Sequence, residues 1–569
     1  MKYIHSSQRR LNLSIKVSFL AVLTVATALS AGAANSVAPN AGSILKQIQP
    51  VNPPAPSYTG TGLIIEDADR GDSPATTSFL VKSIQLSGNT IFDTATLHAL
   101  VADAEGKDSS LSQLSEVARR ITNYYRGRGY PLTRAIIPAQ SIQTGVLQIR
   151  IVEARYGKIT LDNRSRVNDS ILLSTLSSLQ GGQAISQNEM NHTLLLLSDV
   201  PGIVNTATLK PGESVGTSDM VVDTAATPSP TGTVELDNYG NRYTGDQRLG
   251  GAVNFINPLN HGDILSLAGL TSGSDMNYGA LTYESLLNGR GTWFGGSVSV
   301  LHYKLGNSLE SLYSHGTAQV ESLWMKQPLV RGQNSNLYGQ IQYERKQLDD
   351  HIDAAWVRTD RHLDTGSVSL SGDLRNAILS NSVNSWSIAW IFGQVGFDDT
   401  NAQLADSMTA KSRGSFSIWA VNFSHLQTLS PTDALYFGLS GQRTNRNLDA
   451  AEKLVAGGPY TVRAYATGVI SGDTGILATG EFRHTLARVL NGQLQAITFI
   501  DSERVTVNHT TWVAGPNAAT LNGAGAGVNW ANDKNWHAKI TAAVAFGAAS
   551  NLAGANKSAQ AWVEIGKGF

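Results

Sequence analysis

The second half of the chain alternates. Leu337, Gly339, Ile341 and Tyr343 oppose Tyr338, Gln340 and Gln342, and the same period of two returns in Ile388, Trp390 and Phe392, in Trp419, Val421 and Phe423, and in Ile540, Ala542, Val544 and Phe546. Successive side chains of a strand point to opposite faces, so each segment presents one apolar face. Alternation over about ten residues between polar turns is the pattern of a transmembrane β-strand. Beyond the N-terminus no apolar run is long enough to cross a bilayer as a helix, so a membrane-embedded chain must close into a barrel that leaves no edge in lipid. Some 340 residues, 228–569, carry this texture. At roughly 20 residues per strand and turn they predict about 16 antiparallel strands.

Ahead of them the period changes twice in the same order. Phe79 to Leu86 alternates as a strand and Gly88-Asn89 turns it. Two helical patterns follow at Asp93 to Val101 and Ser112 to Tyr125, the second with Leu114, Val117, Ile121 and Tyr124 at helical spacing. Arg134 to Ala139 and Val146 to Glu153 read as strands. Strand, helix, helix, strand, strand then starts again at Tyr156 to Leu161, with helices at Asp169 to Leu179 and Ser186 to Ser198, and strands at Asn205 to Lys210 and Met220 to Asp223. Ser186 and Glu189 have the spacing of a capping box. Two consecutive α+β units, 78–154 and 155–227, indicate a tandem repeat.

The N-terminal part is different again. Arg9, Arg10 and Lys16 precede the apolar run Val17 to Leu29, which ends in Ala31-Gly32-Ala33, the pattern of a secretory signal over 1–33. From 34 to 77 the chain is small and polar, and Pro50, Pro53, Pro54 and Pro56 exclude continuous structure. Only Ser43 to Gln49 reads as a short helix. The net charge of −1 argues against a polyanion binder, so nucleic acid is not an expected partner. With no cysteine there is neither a disulfide framework nor a thiolate metal site, which suits passage through an oxidising compartment.

One stretch carries charge where a barrel least tolerates it. Gly457-Gly458-Pro459-Tyr460-Thr461-Val462-Arg463-Ala464-Tyr465 runs on to Gly472-Asp473, and the strand Phe499-Ile500-Asp501 follows. Phe499, Asp501 and Glu503 share one face of that strand while Thr498 and Ile500 share the other, the lipid face, so Asp501 points into the lumen. Buried charges are found paired, which makes Arg463 the expected partner. Glu503 adds a second lumen carboxylate, within reach of Arg463, Arg483 or Arg504.

This block resembles the inward-folded loop and partner strand of two-partner secretion transporters, the haemolysin activation/secretion family of the barrel-assembly superfamily. Family members usually read Val-Arg-Gly-Phe or Val-Arg-Gly-Tyr in the loop and Phe-x-Asp-x-Gly in the strand. The chain matches at Val462, Arg463, Tyr465, Phe499 and Asp501, but has Ala464 and Glu503 in place of glycines. Alanine is costly at positive φ, so a differently bent loop tip is expected. The repeats resemble the family's periplasmic POTRA domains, the second most closely through Pro201-Gly202-Ile203, Leu209-Lys210-Pro211-Gly212 and Gly216-Thr217-Ser218-Asp219. Segment 34–77 resembles its N-terminal plug helix and linker. Asp237-Asn238-Tyr239 to Thr244-Gly245, Asn257-Pro258-Leu259 and Gly262-Asp263 resemble its first barrel strands, and the final Phe569 resembles the recognition signal of outer-membrane barrels.

The resemblance implies a 16-stranded outer-membrane barrel fed by two periplasmic POTRA domains. It also implies export of an unfolded partner exoprotein bearing an N-terminal secretion domain. Further expected partners are outer-membrane lipid, periplasmic chaperones and the barrel-assembly machinery; no cofactor or catalysis is implied. The competing reading is a barrel-assembly insertase, which usually carries more repeats; a passive porin lacks such repeats altogether. Two motifs mislead. Val330-Arg331-Gly332 matches the family tripeptide but lacks the flanking glycines, and reads as a short periplasmic turn. Gly212-Glu213-Ser214-Val215-Gly216 fits a nucleophile elbow, yet that motif needs a strand before it and a helix after it, whereas here it lies between two strands. The twelve histidines show no ligand spacing, so no metal site is expected.

Overall fold

The computed structural model describes residues 38–48, 63–65, 78–142, 144–548, 551–554 and 559–569. The expected signal segment, 1–33, and most of the linker lie outside them. Sixteen antiparallel strands, from Thr231–Asp237 to Ala559–Gly568, form one closed barrel. Closure satisfies the backbone: Thr233 to Asp237 pair with Gly568 to Glu564, and Gly232 and Phe569 exchange two N–H to carbonyl bonds of 3.0 Å at the end of that seam. Ile341, Ile388, Trp390, Phe392, Trp419, Val421, Ile476, Ile500 and Ile540 are exposed on the outer wall, where only lipid removes them from water.

The first repeat packs the helices Thr94–Ala99 and Leu111–Gly127 over a three-stranded sheet in which Val146–Val152 lies between Ser83–Ser87 and Arg134–Ile136. Its expected first strand is two. Lys82 breaks it where the N–H groups of Lys82 and Ser83 both donate to Gly145 O, so Ser78–Val81 joins Lys107–Ser110 in a separate ribbon. Glu153 locks the unit by accepting from the N–H of Thr90 (2.7 Å) and of Ile91 (2.9 Å), the Tyr125 hydroxyl (2.8 Å) and the Thr90 hydroxyl. Burial alone would raise that carboxyl, but these donors hold it below the usual carboxylate range.

In the second repeat the helices Asp169–Leu176 and Gln187–Ser198 cover a four-stranded sheet. The capping box expected at Ser186 does not form: its side chain makes no capping bond, and Glu189 instead accepts from Gln183 Nε2 at 2.8 Å. The box is at Ser110 and Gln113, on the first repeat. The sheet order is Leu63–Ile65, Ile203–Pro211, Thr217–Ala226, Arg155–Arg164, so three linker residues cover the edge of Ile203–Pro211 in parallel register. The 212–216 motif is the hairpin turn between antiparallel strands.

The second repeat sits directly on the barrel's turns. Asn168 N–H donates to Asn260 O at 2.9 Å, Gly289 N–H to Ser174 Oγ at 3.2 Å, and Arg331 grips Asp199 at the end of the helix Gln187–Ser198 through two bonds of 2.7 and 2.8 Å. The same arginine donates to Asn336 Oδ1 at 3.0 Å, and its carbonyl lies 3.0 Å from His192 Nδ1. Val330-Arg331-Gly332 thus lies where a strand ends on the repeat side, and it anchors the repeat there.

Candidate functional site

Two elements fill the lumen. The helix Ala41–Ile48 is capped by Asn40, whose Oδ1 accepts from Ser43 N–H at 3.0 Å while its own N–H donates to Ser43 Oγ at 2.9 Å. Ala41, Ile44 and Leu45 are buried in one cluster with Leu301, Ala318, Leu348, Leu363 and Phe416 of the barrel wall. A side chain at Gly42 would meet Ala451 N at 2.7 Å, so the helix lies flush against the second element. Its N-terminus is held by charge, since Ala41 N–H donates to Asp350 Oδ1 at 2.8 Å. Asp350 also accepts from Tyr303 Oη and Arg361 Nη1, each at 2.6 Å, and Arg361 Nε reaches Asp449 Oδ2 at 2.6 Å. At the other end Asn241 Nδ2 donates to Gln47 Oε1 at 3.0 Å.

The second element is the segment 445–473, which leaves the strand Asp433–Thr444 at the end away from the repeats and folds back inside the barrel. A short hairpin of Leu454–Ala456 with Ile470–Gly472 forms its stem. Gly457 and Gly458 turn it with φ of +84° and +124°. Val462, Ala464 and Tyr465 are buried at its tip in a cluster with Phe499 and Leu521.

Arg463, only 6% exposed, is held from every side. Nε and Nη2 donate to Asp501 Oδ2 and Oδ1 at 2.9 and 2.8 Å, and the backbone N–H of Arg463 adds a third bond to Oδ2 at 3.2 Å. Nη1 donates to Glu481 Oε2 at 2.8 Å, and Arg483 Nε holds Glu481 Oε1 at the same distance. The guanidinium carbon lies 3.3 Å from the centre of the Phe499 ring. Trp562, on the last strand, donates Nε1–H to the Arg463 carbonyl at 2.8 Å, and Tyr239 meets its ring edge-on.

Asp501, Phe499 and Arg463 therefore meet, whereas Glu503 stands apart: it is buried, and its Oε2 has no hydrogen-bond partner among the described residues. Sequence reasoning missed Glu481 and Trp562. Glu481 opposes Phe499 across the strand pair, and its place between the outward Gly480 and Phe482 was the available signal. Ala464 is not among the residues with positive φ, so the expected penalty for alanine there does not arise. Phe569 ends the seam, exposed on the repeat side.

Residues 79–154 match the model of the ShlB-type POTRA domain, and residues 216–530, more than half of the chain, match that of the haemolysin secretion/activation proteins ShlB/FhaC/HecB. The chain is 27% identical over 470 residues to the heme/hemopexin transporter protein HuxB of Haemophilus influenzae strain 86-028NP, covering 82% of each. It is 25% identical over 412 residues to the outer membrane transporter CdiB of Dickeya dadantii, covering 70% of this chain and 71% of that one. Among solved structures it superposes on CdiB from Escherichia coli with a TM-score of 0.69 at 20% identity, covering 97% of this chain and 98% of the other. BamA from Haemophilus ducreyi lacking its first three POTRA domains shares the fold, with a TM-score of 0.50 at 14% identity, over 86% of this chain and 100% of that one.

Proposed function

The chain belongs to the haemolysin secretion/activation family, the outer-membrane transporters of two-partner secretion, and from that premise we propose how it moves its exoprotein partner. The partner crosses the lumen unfolded and folds outside, where folding makes backsliding unfavourable. In the resting state the helix Ala41–Ile48 is the plug and 445–473 the inner loop; transport displaces the plug while the Arg463 cluster keeps the loop seated. The observation that carries this reading is the difference between their attachments. One backbone bond to Asp350, a side-chain bond at Gln47, a Lys46–Glu452 pair at 4.0 Å and non-directional apolar packing hold the helix, while Arg463 is fixed by two carboxylates, a ring and an indole.

Residues 1–33 are the signal, 34–77 the plug and linker, 78–154 and 155–227 two POTRA domains, and 228–569 the barrel. The first POTRA domain receives the partner's N-terminal secretion domain by strand addition, a mode in which main-chain hydrogen bonds give affinity. Two features favour it over the second. Arg134–Ile136 is an edge strand of its sheet, with Ile136 exposed, whereas in the second, linker residues already cover one edge, at Ile203–Pro211, and leave only Arg155–Arg164 at the other. Periplasmic chaperones deliver the partner, and the barrel-assembly machinery inserts the transporter by reading Phe569.

Deleting Phe79 to Glu153 tests the docking role. Export of the partner should stop while the barrel still fractionates with the outer membrane and migrates as a heat-modifiable band. Normal secretion at equal barrel abundance overturns it.

A further inference from the structure

Two histidines far apart in sequence meet at the extracellular end of the barrel. His315 is the second residue of the strand Ser314–Arg331 and His351 the next to last of Ser335–Ile352, and the register sets them directly opposite each other. Directly opposed residues share a face. Ser314, Gly316 and Ala318 are buried on the lumen side, so His315 projects outward above the lipid-facing Leu323 and Met325. The two imidazoles stack 5.0 Å apart with 9° between their planes. Asp353, in the turn that follows, brings Oδ2 to 3.4 Å from His315 Nε2. One ligand atom from each residue lies within 4.8 Å of the others.

We propose that His315, His351 and Asp353 bind a divalent late first-row transition ion, of the Zn²⁺ or Cu²⁺ class. Neutral imidazole nitrogens with one carboxylate oxygen are the donor set these ions take, with water completing the shell of a three-ligand site. Ligand bonds of about 2.0–2.1 Å place tetrahedral ligand atoms about 3.3 Å apart. The His315–Asp353 edge already has that length, and rotation of exposed side chains closes the rest. Two cations flank the row, Lys304 opposite His315 and Arg358 opposite His351. Arg358 is neutralised by Asp360 at 2.5 Å, so its charge does not dominate the site. The ion clips two strand ends and their turn together, one residue from Asp350, which holds the plug on the inner face.

The test uses the full chain, purified without a polyhistidine tag in detergent micelles, stripped with a chelator and titrated with Zn²⁺ alone. The wild type should bind one equivalent. His315→Ala should weaken it by about tenfold or more, the loss of one of three ligands. His315→Ala/His351→Ala should abolish it while heat-modifiable migration stays unchanged, since neither ring is buried. With Cu²⁺, the paramagnetic resonance spectrum should show coupling to two nitrogens that the double variant lacks. A wild type that binds no Zn²⁺, or a double variant that binds as the wild type does, overturns the proposal.

Discussion

Val330-Arg331-Gly332 and Val462-Arg463-Ala464 are nearly the same tripeptide, and each guanidinium clamps an aspartate through two bonds. Their settings differ. Arg463 lies inside the barrel, its Asp501 is fully buried, and Glu481, Phe499 and Trp562 complete the enclosure. Arg331 lies at the periplasmic rim, where its Asp199 belongs to another unit and remains 29% exposed. One pair fixes a loop within a wall; the other joins two bodies across a seam that water reaches. The tripeptide supplies a guanidinium fork, and the partner's burial decides what that fork is worth.

The largest effect should come from Arg463→Ala. It strands Asp501 in a buried space and leaves Glu481 to Arg483 alone, and breaking a buried pair in this way typically costs about 3–5 kcal/mol. Secretion should fall to a small fraction at near-normal barrel abundance. Arg463→Lys should not restore it, because an ammonium cannot reproduce the planar fork. Wild-type secretion by Arg463→Ala would erase the contrast between the two arginines.

Next come the carboxylates around Arg463. Asp501→Asn should impair secretion more than Glu481→Gln, since Asp501 accepts three bonds from Arg463 and Glu481 one. Glu481, rather than Glu503, is the acid left to hold Arg463 when Asp501 is lost. In a double-mutant cycle, Arg463→Ala with Asp501→Asn should show coupling of about 1–3 kcal/mol. Simple additivity would mean that the bonds do not fix the loop.

Arg331→Ala should be milder, about 1–2 kcal/mol, because charged hydrogen bonds lose value as water screens Asp199. The expected signs are a partial drop in secretion and faster limited proteolysis between the second POTRA domain and the barrel. Exchanging the charges, Arg331→Asp with Asp199→Arg, should recover part of the loss. Proteolysis unchanged in Arg331→Ala would show that the other turn contacts hold the seam alone.

These partners mark where the sequence stops being readable. The period-two alternation made the barrel legible because lipid and lumen impose opposite demands on neighbouring residues. It also put Asp501 on the inner face. Alternation puts Glu481 on that face too but does not pair it with Arg463: the two meet only once Phe499 opposes Glu481, and register depends on closing the whole barrel. Asp199 ends a helix in a different unit, so no local pattern links it to Arg331. The Ser186 capping box failed for a local reason, since Gln183, six residues before Glu189, took its side chain. The strand expected over Phe79 to Leu86 was divided by bonds from Lys82 and Ser83 to Gly145, which spacing does not record.

The smallest effect is expected at the loop tip, where Ala464 replaces the family glycine. The methyl group is fully buried and faces Gly523, the residue opposite Asp501 on the next strand. A side chain added at Gly523 would lie 2.6 Å from Ala464 Cβ and 3.2 Å from Val462 Cγ1. Space that a glycine in the loop would leave is thus provided here by a glycine in the wall. Gly523→Ala should overpack the contact by about 1–3 kcal/mol, while Ala464→Gly removes one methyl and costs about 1 kcal/mol. Combining them transfers the methyl from loop to wall, so the double variant should secrete better than Gly523→Ala alone. Residues in contact couple when each occupies the other's space, and a strictly additive pair would mean that Ala464 does not pack against this wall.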